Sequence, residues 1–213
     1  MPEIIDLSHP IEMNMPVYPG TDPPVIKEMC TVKTHGFKES QITFFTHVGT
    51  HLDVPAHLFH RGKTIDKFDS NHFFGSGILI DCTTRSEIDL KTVRDAYTQA
   101  DLPDYLLFHT GWDKWWCKKQ YFSDFPVMTN EAADYLSAMP IKGIGIDAIS
   151  YDPVGDNLLY NHKAFLKQNI IMVENLCSLE NLLGKHFQFS CLPLNITRAD
   201  GAPTRAFALI NKK

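Results

Sequence analysis

Four side chains suited to metal chemistry fall close together in the sequence: His47, His51, Asp53 and His57. Neutral imidazole and carboxylate are ligands for zinc and similar divalent metals. In an extended strand, side chains two residues apart point to the same side, and all four positions are odd-numbered. The spacing therefore predicts ligands on one face of a strand, with His57 joining them if the strand continues past Pro55.

A helix through the same segment is the weaker interpretation. It would align His47 with His51 but turn Asp53 to another side, and Gly49 and Pro55 both disfavour helical backbone. One strand cannot surround an ion by itself, so the segment reads as half of a metal site.

His162 and Glu174 are the best candidates to complete the site. Glu174 follows an apolar run, residues 170–173, and a carboxylate there is costly to bury unless it is paired or bound to metal. It also stands where a predicted strand ends, which is where open α/β sheets place their sites. From sequence alone, His162 is more simply an ordinary histidine of a helix, and Glu174 could pair with an arginine.

The composition is that of a single globular domain, residues 1–213, with 44% hydrophobic and 21% charged residues. The net charge of −5 and the scattered Lys and Arg residues argue against a nucleic-acid partner. We expect no membrane segment, because no apolar run is long enough to cross a bilayer. The five dispersed cysteines suit buried thiols in a reducing cytosol, so we expect a cytoplasmic protein.

The elements that must position these residues follow from hydrophobic patterning. The sequence predicts strands over 4–7, 25–32, 41–53, 77–82, 105–109, 141–146 and 170–174, and further strands within 187–210 around an Asp200-Gly201 turn. It predicts helices over 90–100, 130–139, 157–168 and 179–183, with Thr129 as an N-cap. Strands and helices alternate in the second half, which indicates a mixed α/β domain with a partly parallel sheet.

The run from His47 to His57 matches the pattern His-x-Gly-Thr-His-x-Asp-x-Pro-x-His. On this run the chain resembles the cyclase family of metal-dependent hydrolases, which includes the bacterial kynurenine formamidases. Segments 16–20, 107–112, 145–150 and 203–206 also match, so the resemblance covers nearly the whole chain.

The resemblance implies a compact β/β/α domain of the swivelling type that assembles as a homodimer or homotetramer. It also implies two divalent ions, with zinc the first expectation and manganese or iron as alternatives. His47, His51 and Asp53 would hold one ion, and Asp53 would be shared with a second ion completed by His162 and Glu174. His57 would carry protons rather than bind metal.

The implied reaction is hydrolysis of a small amide by activated water, with N-formylkynurenine as the leading substrate. One departure concerns Tyr18, because the formamidases typically carry Trp in that loop. Tyr18, Phe59 and Trp112 could form aromatic walls for the substrate. Hydrolysis of a cyclic amide or lactone, as in isatin hydrolases, or cyclase or dehydratase chemistry, is the nearest alternative. A non-catalytic metal-binding module ranks lower, because structural zinc sites are often cysteine-rich.

Overall fold

The computed structural model describes residues 2–97 and 102–210. The strands within these ranges are β1 (Glu3–Asp6), β2 (Val25–Cys30), β3 (Glu39–Thr43), β4 (His51–Asp53), β5 (Phe74–Asp81), β6 (Glu87–Ile88), β7 (Tyr105–His109), β8 (Val127–Met128), β9 (Gly143–Ile146), β10 (Ile171–Glu174), β11 (Phe187–Ser190), β12 (Gly201–Pro203) and β13 (Phe207–Ile210). The α-helices are α1 (Val32–His35), α2 (Leu90–Tyr97), α3 (Asn130–Ser137) and α4 (Tyr160–Leu166). Short 3₁₀ turns span Pro55–His57, Ile65–Lys67, Ser70–Phe73, Trp112–Trp115, Lys119–Phe122 and Leu179–Leu182.

Nine of these strands form one curled sheet in the order β1-β13-β11-β5-β7-β9-β10-β4-β12. The central strands β5, β7, β9 and β10 run parallel, whereas the flanking pairs are antiparallel. The predicted mixed α/β fold with a partly parallel sheet is confirmed. Strands β2 and β3 pair only with each other in the described part of the chain and form a separate hairpin.

The two faces of β7 pack into different hydrophobic clusters, because side chains alternate along a strand. Leu106 and Phe108 contact the cluster that includes residues of α3 and α4. Tyr105 and Leu107 contact the cluster formed where the sheet curls over itself. The parallel strands β7, β9 and β10 are buried at every position, as their largely apolar sequences require. No helix in residues 2–97 and 102–210 is long and apolar enough to cross a membrane.

Strand β4 carries two of the predicted ligands and lies between β10 and β12. In its register with β10, Glu174 pairs with His51, and in its register with β12, Gly201 pairs with Asp53. Strand pairing therefore brings residues far apart in sequence to the same place.

The predicted strand over 41–53 is wrong in its middle. Strand β3 ends at Thr43, and β4 begins only at His51. Gly49, between them, has a φ of +61°, a left-handed conformation that turns the chain and that glycine adopts at little cost. His47 therefore lies on a turn and His57 on the 3₁₀ turn Pro55–His57, not along one strand face.

The predicted helix over 157–168 begins three residues later, at Tyr160. Asp152 explains this start, because its carboxylate accepts hydrogen bonds from the backbone N–H groups of Asn161 and His162, at 3.0 and 3.1 Å. These are first-turn donors without a partner inside the helix.

Other boundaries differ by small amounts. The strand predicted over 25–32 ends at Cys30, and α1 begins at Val32. Thr129 caps α3 as predicted, with its hydroxyl accepting from Ala132 N at 3.3 Å. The helix predicted over 90–100 is present up to Tyr97, and its last three positions lie outside the described residues.

Candidate metal centre

Asp53 lies at the centre of the site, and its side chain is 2% exposed. Its Oδ1 lies 2.6 Å from His47 Nδ1 and 3.4 Å from His51 Nε2. Its Oδ2 faces the other way and lies 3.5 Å from His162 Nε2. The two oxygens of one carboxylate thus face different histidines.

Glu174 also extends between two histidines. Its Oε1 lies 3.2 Å from His162 Nε2, and its Oε2 lies 3.5 Å from His51 Nε2. The Oε1 atom is buried and has no hydrogen-bond partner within the described structure. The His162 ring 3.2 Å away is outside hydrogen-bond geometry, so this buried oxygen lacks the directed partner that such atoms normally have and leaves room for a cation.

Each of the three buried or half-buried histidines has an acceptor on its other ring nitrogen. His51 Nδ1 lies 2.9 Å from the carbonyl oxygen of Gly49, and His162 Nδ1 lies 2.6 Å from Asp152 Oδ2. His47 Nε2 lies 2.9 Å from Asp200 Oδ2. Carbonyl and carboxylate oxygens can only accept, so each of these nitrogens carries a proton, and without metal His47 carries a second one on Nδ1, 2.6 Å from Asp53 Oδ1. The opposite nitrogens face Asp53 and Glu174, which is the arrangement that surrounds metal-bound histidines.

This donor set fits a divalent cation. Two atoms that each lie about 2.1 Å from one ion are roughly 3.0 to 3.5 Å apart, which matches most of the nitrogen–oxygen separations here. Ligand-type atoms of His51, Asp53 and Glu174 all lie within 4.8 Å of one another, and so do those of His47, Asp53 and His57. Geometry alone therefore also allows His57 as a ligand.

His47, His162 and the carboxylates of the site shift one another's pKa values, so both histidines keep their protons and Asp53 stays charged. Burial by itself would lower the pKa of His47, but Asp53 and Asp200 beside it raise that pKa to about 10. Burial would raise the pKa of Asp53, but His47, His162 and His51 keep that pKa well below its usual range. Burial would likewise lower the pKa of His162, which Asp152, Asp53 and Glu174 raise well above its ordinary value. A bound cation would replace these protons.

His57 is more accessible than the buried side chains, with 28% of its side chain exposed. Its ring centroid lies 4.1 Å from that of His47. Both rings line a cavity of about 380 Å³ together with Asp53 and Glu174. A small molecule in this cavity would therefore meet the predicted ligands and His57 at once.

Comparison with known proteins identifies the family. The Cyclase family model, described as "Putative cyclase", matches residues 5–153. The chain belongs to the Cyclase family. Kynurenine formamidase of Bacillus cytotoxicus is 30% identical over 206 residues, which cover 96% of this chain and 96% of that protein.

Solved structures share the fold of this Cyclase-family protein. A potential metal-dependent hydrolase with cyclase activity is 25% identical, with a TM-score of 0.82 and 100% coverage of both chains. Isatin hydrolase A from Labrenzia aggregata, at 22% identity, has a TM-score of 0.87 over 99% of this chain and 94% of that chain.

The structure brings together all six residues predicted for metal and proton chemistry in this Cyclase-family protein. Of the three predicted aromatic walls, Tyr18 lines the cavity, and its hydroxyl accepts a hydrogen bond from Gly155 N at 3.0 Å. Trp112 packs against the core instead, with its indole N–H donating to the carbonyl of Tyr121. Phe59 lies beside a separate groove with Arg61 and Lys63.

Sequence reasoning missed two carboxylates of the site, Asp152 and Asp200. Each accepts a hydrogen bond from a histidine predicted to bind metal. Asp200 was assigned only to a turn before Gly201, and it lies 153 positions from His47 in the chain. The cavity is completed by residues that the sequence did not assign to the site, namely Thr21, Ile149, Ser150, Asp156, Asn157 and Leu159.

Proposed function

We propose that this protein is a metal-dependent hydrolase that cleaves the formamide bond of N-formylkynurenine. The observation that carries the proposal is the convergence of five metal-type ligands and His57 on one cavity. The relationship to a kynurenine formamidase, at 30% identity over 96% of both chains, supports this substrate class. A cavity of about 380 Å³ suits a small molecule, because ligand pockets start near this size.

We propose His47, His51 and Asp53 as ligands of one divalent ion, with Asp53 shared toward a second ion held by His162 and Glu174. Zinc is our first expectation, and manganese or iron are alternatives, since histidine and carboxylate suit all three. Such ions supply an activated water and polarise the carbonyl that it attacks. The unpartnered Glu174 Oε1 supports an ion at this place.

His57 would move the proton during the reaction. The water oxygen bonds to the formyl carbon, while the proton released by the water passes to His57. The bond between the formyl carbon and the nitrogen then breaks, and His57 returns the proton to the leaving nitrogen. The products are formate and an aromatic amine. The exposure of His57 to the cavity supports this role.

Tyr18 bears on the choice of substrate. Its phenol lines the cavity and is held by the N–H of Gly155, a contact that a Trp side chain could not accept. Because Tyr18 departs from the Trp that formamidases typically carry, a cyclic amide or lactone is the runner-up substrate class. Here the isatin hydrolase structures support the shared fold alone.

The decisive experiment is a substrate panel on metal-loaded protein: N-formylkynurenine, isatin and simple lactones. We expect formate release from N-formylkynurenine, abolished by a chelator and restored by zinc or manganese. Turnover of isatin or lactones without formate release would replace the proposed substrate. Absence of turnover on every compound, with metal bound in full, would favour a non-catalytic metal module.

We also propose that the single domain, residues 1–213, forms a homodimer or homotetramer. The hairpin of β2 and β3 supports this, because a two-stranded sheet alone is marginally stable and its Met29 and Ile42 are 55% and 52% exposed. Light scattering should give two or four copies, reduced by Ile42→Asp. A cytoplasmic location is proposed as well, since the five cysteines are free thiols.

A further inference from the structure

Asp200 contacts two histidines of the site with the same oxygen atom. Its Oδ2 lies 2.9 Å from His47 Nε2 and 3.7 Å from His57 Nδ1. The first distance is a hydrogen bond, and the second is too long for one. Its other oxygen, Oδ1, accepts from the hydroxyl of Thr46 at 3.1 Å. The carboxylate therefore stands between a predicted metal ligand and the predicted proton carrier.

The backbone around Asp200 is fixed to the strand that carries the ligands. The carbonyl of Asp200 accepts from Val54 N at 3.1 Å, and the next residue, Gly201, pairs with Asp53. His47 packs so closely on Gly201 that an added Cβ would lie 2.5 Å from its Cε1 atom. These contacts hold the backbone of Asp200 beside the two imidazoles, within reach of its carboxylate.

We propose that Asp200 is a positioning residue that orients His47 toward the metal and His57 toward the substrate. The proposal rests on the proposed hydrolytic function. The hydrogen bond to His47 Nε2 fixes the ring so that Nδ1 faces Asp53, and such outer partners typically set metal affinity and activity. Catalytic contacts in structures without substrate are often long, so the 3.7 Å separation from His57 is expected to shorten during turnover.

The first test measures metal binding and needs no substrate. Titration of zinc into Asp200→Ala should show about tenfold weaker binding than the parent protein, in line with the usual effect of losing such a partner. Asp200→Asn should recover part of the loss, because its amide oxygen can still accept from His47. The matched control is Asp66→Ala, because Asp66 holds the backbone N–H of Arg198 in the same segment at 2.9 Å but lies outside the site.

Equal zinc affinity in Asp200→Ala and the parent would overturn the proposal. So would an equal loss in Asp66→Ala, because the effect would then come from loosening the segment. Since this measurement is independent of turnover, it decides the role of Asp200 toward His47 even if the parent hydrolyses nothing in the substrate panel.

The second test is a double-mutant cycle at saturating zinc. Asp200→Ala should lower kcat at least tenfold and leave KM within twofold. In a His57→Ala background, Asp200→Ala should lower kcat little further, because the residue through which Asp200 acts is already gone. An undiminished loss in that background would contradict the positioning role toward His57.

Discussion

His57 is the most exposed of the four histidines that line the cavity, with 28% of its side chain exposed against 22% for His47 and 4% and 5% for His51 and His162. A ligand benefits from burial, which excludes competing water, whereas a proton carrier must reach the substrate. The exposure of His57 suits the second role but does not decide it, because His47 is nearly as exposed and a His57 nitrogen lies within 4.8 Å of ligand-type atoms of His47 and Asp53.

Replacement of His57 separates these roles. His57→Ala should keep the metal content of the parent protein and lose at least a hundredfold in kcat, which is the usual contribution of a general acid–base. Metal analysis and steady-state kinetics provide the measurement. His60→Ala, an exposed neighbour, serves as the control. Loss of a metal equivalent in His57→Ala would make this residue a ligand instead.

The raised pKa of His47 makes metal binding depend on pH. In chelator-treated protein that pKa lies near 10, so His47 carries a proton at neutral pH that a metal must displace. We expect metal binding to release about one proton or more and to tighten as the pH rises from 6.5 toward 10. Calorimetry in buffers of different ionisation enthalpy counts the released protons, and a binding reaction with no proton release would contradict this charge state.

In the absence of metal, the raised pKa of His47 makes the folded state less stable as the pH rises. A histidine whose pKa is raised on folding stabilises the folded state below its unfolded pKa of 6.5, and the contribution fades as the pH approaches 10. The chelator-treated protein should therefore lose stability over the pH range in which the metal-loaded protein gains affinity.

At the scale of the elements, the position of the His47 ring depends on its contact with Gly201 of strand β12. Gly201→Ala would place a methyl group 2.5 Å from His47 Cε1 and 2.9 Å from the carbonyl of Leu52, so the turn must shift. We expect reduced metal content and a loss of roughly 1–3 kcal/mol in unfolding free energy, typical of overpacking. Gly184→Ala is the control for destabilisation alone: its added Cβ meets open space, but its φ of +68° strains an alanine, so this variant should lose stability and keep its metal. Unchanged metal content in Gly201→Ala would show that the turn can adapt.

Some elements could be predicted from the sequence, and others could not. The strand at Tyr105–His109 and the cap at Thr129 were predicted because local apolar runs and capping chemistry determine them. The alternating histidines suggested one continuous strand, yet residues 44–50 form a turn through the left-handed Gly49. The residues that meet at the cavity were thus predicted from the wrong local geometry. The pairing of Asp200 with His47 depends on the order of strands, which local patterns do not contain.

At the scale of the molecule, the site joins segments that are distant in the chain. The proposed ligands come from residues 47–53, which precede β5, and from His162 in α4 and Glu174 at the end of β10. A ligand that binds only the folded state stabilises it by an amount that grows with the ratio of its concentration to its dissociation constant, about 2.7 kcal/mol at a hundredfold excess. Metal should therefore act as a cross-link between the two halves of the sequence.

Removal of metal should lower the melting temperature by about 5–10 °C, given the usual 2–4 °C per kcal/mol for a domain of this size. Differential scanning calorimetry with and without chelator measures the shift. His51→Ala provides the comparison, since its melting temperature should respond little to added metal. Equal responses of both proteins would mean that the stabilising metal binds elsewhere.

The groups that accept hydrogen bonds from His47, His51 and His162 differ in whether a mutation can remove them. Asp152 and Asp200 are side chains, and a single base change could replace either one. The acceptor for His51 is the main-chain carbonyl of Gly49, which no substitution removes, although any replacement of Gly49 itself would strain its φ of +61° and shift the backbone. Mutational drift could thus retune the environments of His47 and His162, while that of His51 would change only if the backbone moved. In a comprehensive library of single substitutions outside Gly49, the fewest should change which ring nitrogen of His51 carries the proton, compared with His47 and His162.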